Sequence, residues 1–231
     1  MVVFMMSQFG TSSIKSFEQE LLAMNRFEVA AWLVAASLLL STGCSSSQKR
    51  VSQPEYSSSP GAAALAAYDS NSDDVISNDE LDQVPALKAS ISAVDTDKNG
   101  RISAQEIDDR VNAWKESRIG KMAAICEVTL DGKPLANAEV VLEPEPFVGS
   151  NLPSGSGTTG EDGWVGISLF SDQDGNARHV GMPPGWYKIR VTSPDHKIPA
   201  RYNSNTTLGC EIANYSHWEN DGAVKLDLTS Q

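Results

Sequence analysis

The sequence has little positive charge. Its 18 Lys and Arg residues stand against 30 Asp and Glu residues, which gives a net charge of −12 over 231 residues. Because nucleic acids are bound chiefly through basic side chains that replace phosphate counterions, this balance argues against a nucleic-acid-binding protein. The deficit is also uneven, since residues 62–117 hold 12 acidic and 5 basic residues and so carry −7 of the total. This acidic block requires a chemical explanation.

Histidine and cysteine are also scarce, with three residues of each. His179, His196 and His217 are dispersed, without metal-ligand spacing or a paired nucleophile, and the sequence has no Gly-rich phosphate loop or nucleophile elbow. We therefore expect that the protein is not an enzyme. Three tryptophans at strand positions suit either a carbohydrate-binding platform or core packing: Trp164, Trp186 and Trp218.

The apolar run at residues 29–40 is too short to span a membrane. It has 12 residues, whereas a spanning helix needs roughly 20, and it fits the core of a signal peptide instead. The following Ser41-Thr42-Gly43-Cys44 resembles the lipobox of bacterial lipoproteins, although that family usually has an aliphatic residue in place of Ser41. The resemblance implies lipidation of Cys44. A plain secretory signal or a non-cleaved anchor is the alternative.

These features predict the organisation of the N-terminal region and the destination of the protein. Residues 1–43 are expected to be a leader, with Met24 as an alternative start, and residues 44–61 a Ser-rich flexible tether. The expected location is the cell envelope, at the outer membrane or in the periplasm, with a lipid anchor in the membrane.

Export also bears on the two remaining cysteines, Cys126 and Cys210. An exported protein can keep a disulfide, and this one would close a loop of about 85 residues and stabilise the fold by roughly 4–5 kcal/mol in the chain-entropy model. The alternative is two buried free thiols, because the sequence does not show whether the two Cβ atoms meet.

The acidic block contains two copies of a 12-residue calcium-loop pattern, which begin at Asp69 and Asp95. Calcium takes about six to eight oxygen ligands, so the loop must present oxygens from alternate positions as it turns around the ion. In residues 95–106 the predicted ligands are Asp95, Asp97, Asn99, the backbone carbonyl of Arg101, Ser103 and a bidentate Glu106. In residues 69–80 they are Asp69, Asn71, Asp73, the backbone carbonyl of Val75, Ser77 and Glu80.

The two loops differ at position six, where a positive φ is needed. Gly100 supplies it in the second loop, whereas Asp74 stands there in the first. A non-glycine residue in a left-handed conformation costs about 1–2 kcal/mol, so we expect residues 69–80 to bind calcium more weakly, by up to about tenfold. A degenerate first loop is the alternative. Ile76 and Ile102 at position eight are expected to form short strands that couple the loops.

The flanks of the loops are amphipathic. Apolar residues recur at three- and four-residue steps: Leu81, Val84, Leu87, Ile91 and Val94 between the loops, and Ile107, Val111 and Trp114 after them. Because only residues 81–94 separate the loops, residues 62–117 resemble the compact tandem EF-hand modules of bacterial exported proteins.

Residues 122–231 show the alternation of β-strands. Short alternating segments are separated by turn signals such as Asp131-Gly132, which predicts an all-β sandwich. The motifs at 128–142, 159–163 and 184–191 resemble the carboxypeptidase regulatory-like, or transthyretin (prealbumin)-like, domain, and residues 198–202 fit planctomycete lipoproteins that carry it. The chain lacks the terminal Tyr-Arg-Gly-Ser motif of hydroxyisourate hydrolase, the enzyme branch of the transthyretin family, so that activity is not implied.

The predicted fold class is therefore multidomain α plus all-β, with an EF-hand pair followed by a prealbumin-like sandwich. The predicted function is that of an exported, lipid-anchored protein in which two calcium ions order a helical module that displays the sandwich. The alternative is a calcium-dependent adhesion module that binds carbohydrate or protein. Its partner, an envelope protein or a polysaccharide, is not identified by the sequence.

Overall fold

The computed structural model of the chain describes residues 53–169, 181–213 and 223–231. These residues form short helices and mainly antiparallel β-sheets. The predicted leader, Cys44, His179, His217 and Trp218 lie outside the described ranges. Within those ranges, no helix has both the length and the apolar character needed to cross a membrane.

The helical module, residues 60–117, contains both calcium-loop sequences. Its elements are α1 (Pro60–Tyr68), β1 (Val75–Ser77), α2 (Asn78–Leu81), α3 (Pro85–Ala89), α4 (Ile91–Val94), β2 (Arg101–Ser103) and α5 (Ala104–Ser117). Strands β1 and β2 pair antiparallel with Ile76 opposite Ile102, which confirms the predicted coupling of the loops. Pro85 separates α2 from α3 because it has no N–H to continue a helix, but it is well suited to begin one.

The sheet module, residues 122–231, contains the remaining strands. They are β3 (Ile125–Leu130), β4 (Lys133–Pro134), β5 (Glu139–Pro144), β6 (Gly155–Thr158), β7 (Trp164–Gly166), β8 (Ser168–Leu169), β9 (Gly185–Thr192), β10 (Leu208–Ile212) and β11 (Val224–Leu228), with 3₁₀ turns at Pro146–Val148 and Ala200–Tyr202. One sheet has the order β10-β9-β5-β6-β8, and the other has β11-β3-β4 with β7 also paired to β3. Only the β11–β3 pair among these described ladders is parallel.

Two sequence features of the sheets had different outcomes. The β3–β4 hairpin turns at Asp131 and Gly132, whose φ values of 51° and 76° are those of the predicted turn. Residues 144–160, which the sequence indicated as a loop, contain β6. Because β6 has the sequence GSGT, its low β-propensity concealed it.

Both sheets contribute to one hydrophobic core. Its inward side chains include Val128, Leu226 and Leu228 from one sheet and Val140, Leu142, Ile189 and Val191 from the other. Cys126 in β3 and Cys210 in β10 are also buried, and both are free thiols, which is the second of the two alternatives that the sequence left open. Burial raises the pKa of Cys126 to about 12 and raises that of Cys210 as well. Because the thiolate is the reactive form, burial disfavours formation of the bond.

The helical module packs directly on the sheets, and the described residues of both modules belong to one compact unit. Helix α3 lies against β10, where a Cβ atom on Gly209 would approach the backbone nitrogen of Ala86 to 2.3 Å. Trp186 in β9 is fully buried and donates a 2.9 Å hydrogen bond to the Ser90 hydroxyl. Trp186 is therefore a core residue and not part of a carbohydrate platform.

The described part of the predicted tether also contacts both modules. The Gln53 side chain donates to the carbonyl of Lys115 (3.1 Å), and the Tyr56 hydroxyl donates to that of Pro184 (2.9 Å). The backbone N–H of Ser57 donates to the carbonyl of Val148 (2.7 Å). Residues 53–59 therefore differ from the expected flexible tether, because the Tyr56 ring packs on the core.

Candidate metal centre

The two calcium-loop sequences each bring three carboxylates together. In residues 95–106, one oxygen from each of Asp95, Asp97 and Glu106 lies within 4.8 Å of the others. In residues 69–80, the same holds for Asp69, Asp73 and Glu80. The sequence separation within each triad is the one predicted from the loop pattern, so two acidic triads that could hold metal ions are present.

The spacing and charge of the triads fit a calcium ion. Calcium binds oxygen at about 2.3–2.6 Å, so two ligands of one ion are at most about 5 Å apart. The 4.8 Å limit within each triad satisfies this condition. Among the ion pairs of the described residues, none involves any of the six carboxylates. Each triad therefore presents three carboxylates that form no ion pair with a basic side chain of the described ranges.

Backbone N–H groups fold the second loop around Asp95. The Asp95 carboxylate accepts hydrogen bonds from the N–H groups of Asn99 (3.1 Å) and Gly100 (2.8 Å). The Asn99 side-chain oxygen accepts one from the N–H of Arg101 (2.7 Å). Gly100 has a φ of 79°, the left-handed conformation expected at position six. The loop is thus curved by its own acceptors toward the centre where the triad converges.

The first loop repeats this arrangement. The Asp69 carboxylate accepts hydrogen bonds from the N–H groups of Asp73 (3.2 Å) and Asp74 (3.0 Å). Asp74 has a φ of 64°, so it adopts the left-handed conformation that Gly100 has in the second loop. The left-handed conformation expected at position six is therefore present in both loops.

A glutamate closes each loop by joining its two ends. Glu106 accepts hydrogen bonds from the N–H groups of Thr96 (2.9 Å) and Ser103 (2.9 Å). Glu80 accepts the equivalent bonds from Ser70 (2.9 Å) and Ser77 (3.1 Å). Both glutamates are largely buried although they carry charge, and these N–H groups provide part of the compensation.

The same hydrogen bonds set the protonation state of the triads. The N–H of Ser77 is the main cause that lowers the pKa of Glu80. Burial alone raises the pKa values of Asp95 and Glu106, but hydrogen bonds from the loop N–H groups outweigh it and lower both. These three side chains are therefore anionic at neutral pH, which is the form that binds a cation.

The other predicted ligands lie around the triads. Asn71 and Asn99 donate from their side-chain amides to Asp73 (3.2 Å) and Asp97 (2.8 Å), respectively. Ser103 exchanges hydrogen bonds with Glu106 as the N-cap of α5. Val75 and Ser77 lie in β1, and Arg101 lies in β2. Ligation by these residues stays a prediction.

Comparison of the chain with family models, with curated proteins and with solved structures finds no match. The assignment of the centre therefore depends on its residues alone: the repeated spacing, the convergent carboxylates and the common backbone conformation.

Sequence analysis missed two buried glutamates of the sheet module, Glu145 and Glu211. Glu211 in β10 has a side chain that is 2% exposed, and it accepts hydrogen bonds from Arg110 Nε (2.6 Å) and Trp114 Nε1 (2.9 Å) of α5. Because Cys210 and Ile212 flank Glu211 in the strand, alternation placed it on the outer face of the sheet. That face is covered by the helical module, which the strand pattern does not reveal.

Glu145 follows β5 and is fully buried. It accepts a hydrogen bond from the Tyr68 hydroxyl (3.3 Å) and lies 3.4 Å from Lys188 Nζ. Burial raises the pKa of Glu145, although Lys188 and Tyr68 oppose this effect. Burial and the charge of Glu145 together raise the pKa of Tyr68 to about 12, so Tyr68 keeps the proton that it donates.

Proposed function

We propose that this chain is an exported calcium-binding protein of the cell envelope, with an EF-hand pair that binds two calcium ions. The observation that carries the proposal is the repetition of one centre: in each loop, carboxylates at position one, at position three or five, and at position twelve converge, and the residue at position six is left-handed. Two loops whose sequences differ at most positions have the same geometry, which favours a common ligand over chance clustering of acids.

The expected effect of calcium is to stiffen the helical module. Each triad carries three negative charges in close contact, and their mutual repulsion opposes folding until a cation compensates it. The two ions would return +4 to a segment with a net charge of −7. Extracellular calcium modules bind at about 10⁻⁴–10⁻³ M, so millimolar calcium outside the cell would fill them.

Titration calorimetry with calcium tests this proposal. The chain is expected to bind two ions, and Glu106→Gln and Glu80→Gln are each expected to remove one of the two binding events. Glu116→Gln is the matched control, because it makes the same change at an exposed position of α5. Absence of calcium-linked heat, or binding events that survive both loop substitutions, would reject the proposal.

Export and lipid attachment depend on the pattern at residues 29–44. Under this proposal the protein is displayed from a membrane through lipidated Cys44, and the sheet module is a transthyretin-like sandwich without enzymatic activity. Metabolic labelling with radioactive palmitate is expected to mark the wild-type protein and not Cys44→Ala. Equal labelling of both would contradict the anchor and leave the calcium centre unaffected.

A further inference from the structure

Glu211 connects the second loop to the sheets. Its two donors, Arg110 and Trp114, lie in α5 at four-residue steps from the loop ligand Glu106, and residues so spaced share one face of a helix. A single rigid helix therefore carries a metal ligand at its first turn and the partners of Glu211 over the following two turns. Any displacement of Glu106 along or around the helix axis also displaces the donors of Glu211.

Glu145 makes the corresponding connection for the first loop. Tyr68, which donates to Glu145, is the last residue of α1 and immediately precedes the loop ligand Asp69. The Tyr68 ring also packs edge-on against Phe147, with the ring centroids 6.1 Å apart. The helix that enters the first loop and the helix that leaves the second are thus each bound to a buried glutamate of the sheet module.

The two modules also share apolar core. Trp114 of α5 and Trp186 of β9 are 3% and 0% exposed, and their ring centroids are 4.5 Å apart. Separating the modules would expose both rings to water and break the hydrogen bonds of Glu211 to Arg110 and Trp114. Exposure of large apolar side chains opposes this separation. The sheets therefore depend on the helical module for part of their stability.

We infer that calcium binding in the loops is coupled to the stability of the β-sheets, with Glu211 and Glu145 as the positioning residues that transmit the coupling. The inference rests on the proposed calcium sites. It adds that calcium suppresses opening of β10 and of the sheet to which it belongs, through α5 and α1, although all the predicted ligands lie in the helical module.

Cysteine alkylation measures this opening. Cys210 adjoins Glu211 in β10, and Cys126 lies in the other sheet; both are free and buried, so each reacts only when its strand opens. The measurement uses the full chain with Cys44→Ser, a reductant and iodoacetamide, and mass spectrometry reports the modification of each cysteine. Calcium at about 10 mM is compared with sodium chloride of equal ionic strength.

The expected result is slower alkylation of Cys210 in calcium. If the open state does not bind the ion, the open fraction falls by 1 + [Ca²⁺]/Kd for each site, which is about 10–100-fold at 10 mM for a Kd of 10⁻³–10⁻⁴ M. Calcium-linked heat with an unchanged alkylation rate would overturn the coupling while the proposed function stands. Absence of both heat and protection would reject the proposed function and the coupling with it.

The role of Glu211 in the coupling is measured by one ratio: the alkylation rate without calcium divided by the alkylation rate with calcium. Glu211→Gln is expected to lower this ratio at Cys210 by about fivefold or more, because β10 can then open while the loops stay filled. Glu143→Gln is the matched control, since it makes the same change in the same sheet, at a half-exposed glutamate that is paired with Arg190. It should leave the ratio unchanged.

A residue with only a structural role would speed alkylation equally in both conditions. Faster alkylation of Glu211→Gln with an unchanged ratio would therefore overturn its positioning role. Arg110→Lys is a milder second variant, because it keeps the positive charge but loses the Nε donor. Arg110→Lys should also lower the ratio, and an unchanged ratio would again contradict the positioning role of Glu211.

Discussion

The left-handed residue at position six of the first loop gives a quantitative prediction for Asp74→Gly. Asp74 holds a φ of 64°, a conformation that costs a non-glycine residue about 1–2 kcal/mol. Glycine removes this strain but makes the unfolded chain more flexible, which costs about 0.4–1 kcal/mol. The difference predicts that Asp74→Gly raises the free energy of unfolding by about 0.5–1 kcal/mol, or the Tm by about 1–4 °C for a unit of this size.

Thermal unfolding in saturating calcium measures this effect, and calcium titration measures the accompanying change in affinity of the first loop. Because Asp74→Gly also removes a negative charge near the triad, Asp74→Asn is the control that removes the charge and keeps a side chain. Asp74→Gly should exceed Asp74→Asn in both stability and calcium affinity. Equal behaviour of the two variants would refute the assignment of strain to Asp74.

Gly100 provides the opposite test in the second loop. It has a φ of 79°, and a Cβ atom built on it meets no atom within 4 Å, so Gly100→Ala changes the backbone energy without a clash. By the same arithmetic, Gly100→Ala should lower the free energy of unfolding by about 0.5–1 kcal/mol. A neutral or stabilising result would show that position six carries no strain.

Three further predictions follow from pKa values and packing. The buried Glu145 carboxyl should make the free energy of unfolding decline with rising pH, from the usual glutamate pKa of about 4.3 up to the raised pKa of Glu145. Below that window the carboxyl is protonated in both the folded and the unfolded protein, and above it the buried charge opposes folding. Glu145→Gln should remove this decline in a pH series of urea denaturation, and an unchanged pH profile would contradict the prediction. Calcium affinity should stay constant from pH 7 to about pH 5 and fall only at lower pH, because the lowered pKa values of Glu80, Asp95 and Glu106 keep these ligands anionic until then. A calcium affinity that already falls at pH 6, measured by calorimetry, would refute this prediction. Gly209→Ala should lower the free energy of unfolding by about 1–3 kcal/mol, because the alanine Cβ would lie 2.3 Å from a backbone atom of α3. Chemical denaturation measures this loss. A variant as stable as the wild type would mean that α3 does not pack on β10.

Residues whose geometry is determined locally could be predicted from the sequence. A calcium loop is a short segment whose ligands come from within 12 residues, so the spacing of Asp95, Asp97 and Glu106 implied their convergence. The positive φ at Asp74 followed from its alignment with Gly100. The pairing of Ile76 with Ile102 followed in the same way, because both occupy position eight.

Features that depend on distant contacts could not be predicted. Glu211 lies 101 residues from Arg110 in the sequence, and its strand pattern alone places it on an exposed face. Helix α3 covers that face because Gly209 permits close approach, but an isolated glycine in a strand does not indicate what approaches it. The modules therefore looked separable in the sequence although they share one core.

The most direct test of the account is the number of calcium ions bound per chain, counted by native mass spectrometry after exchange into a calcium-containing volatile buffer. The account predicts two ions for the wild-type protein, one each for Glu80→Gln and Glu106→Gln, and none for the double variant. A wild-type protein that binds no calcium, or a double variant that still binds two ions, would contradict the central claim that the paired carboxylate triads are calcium sites.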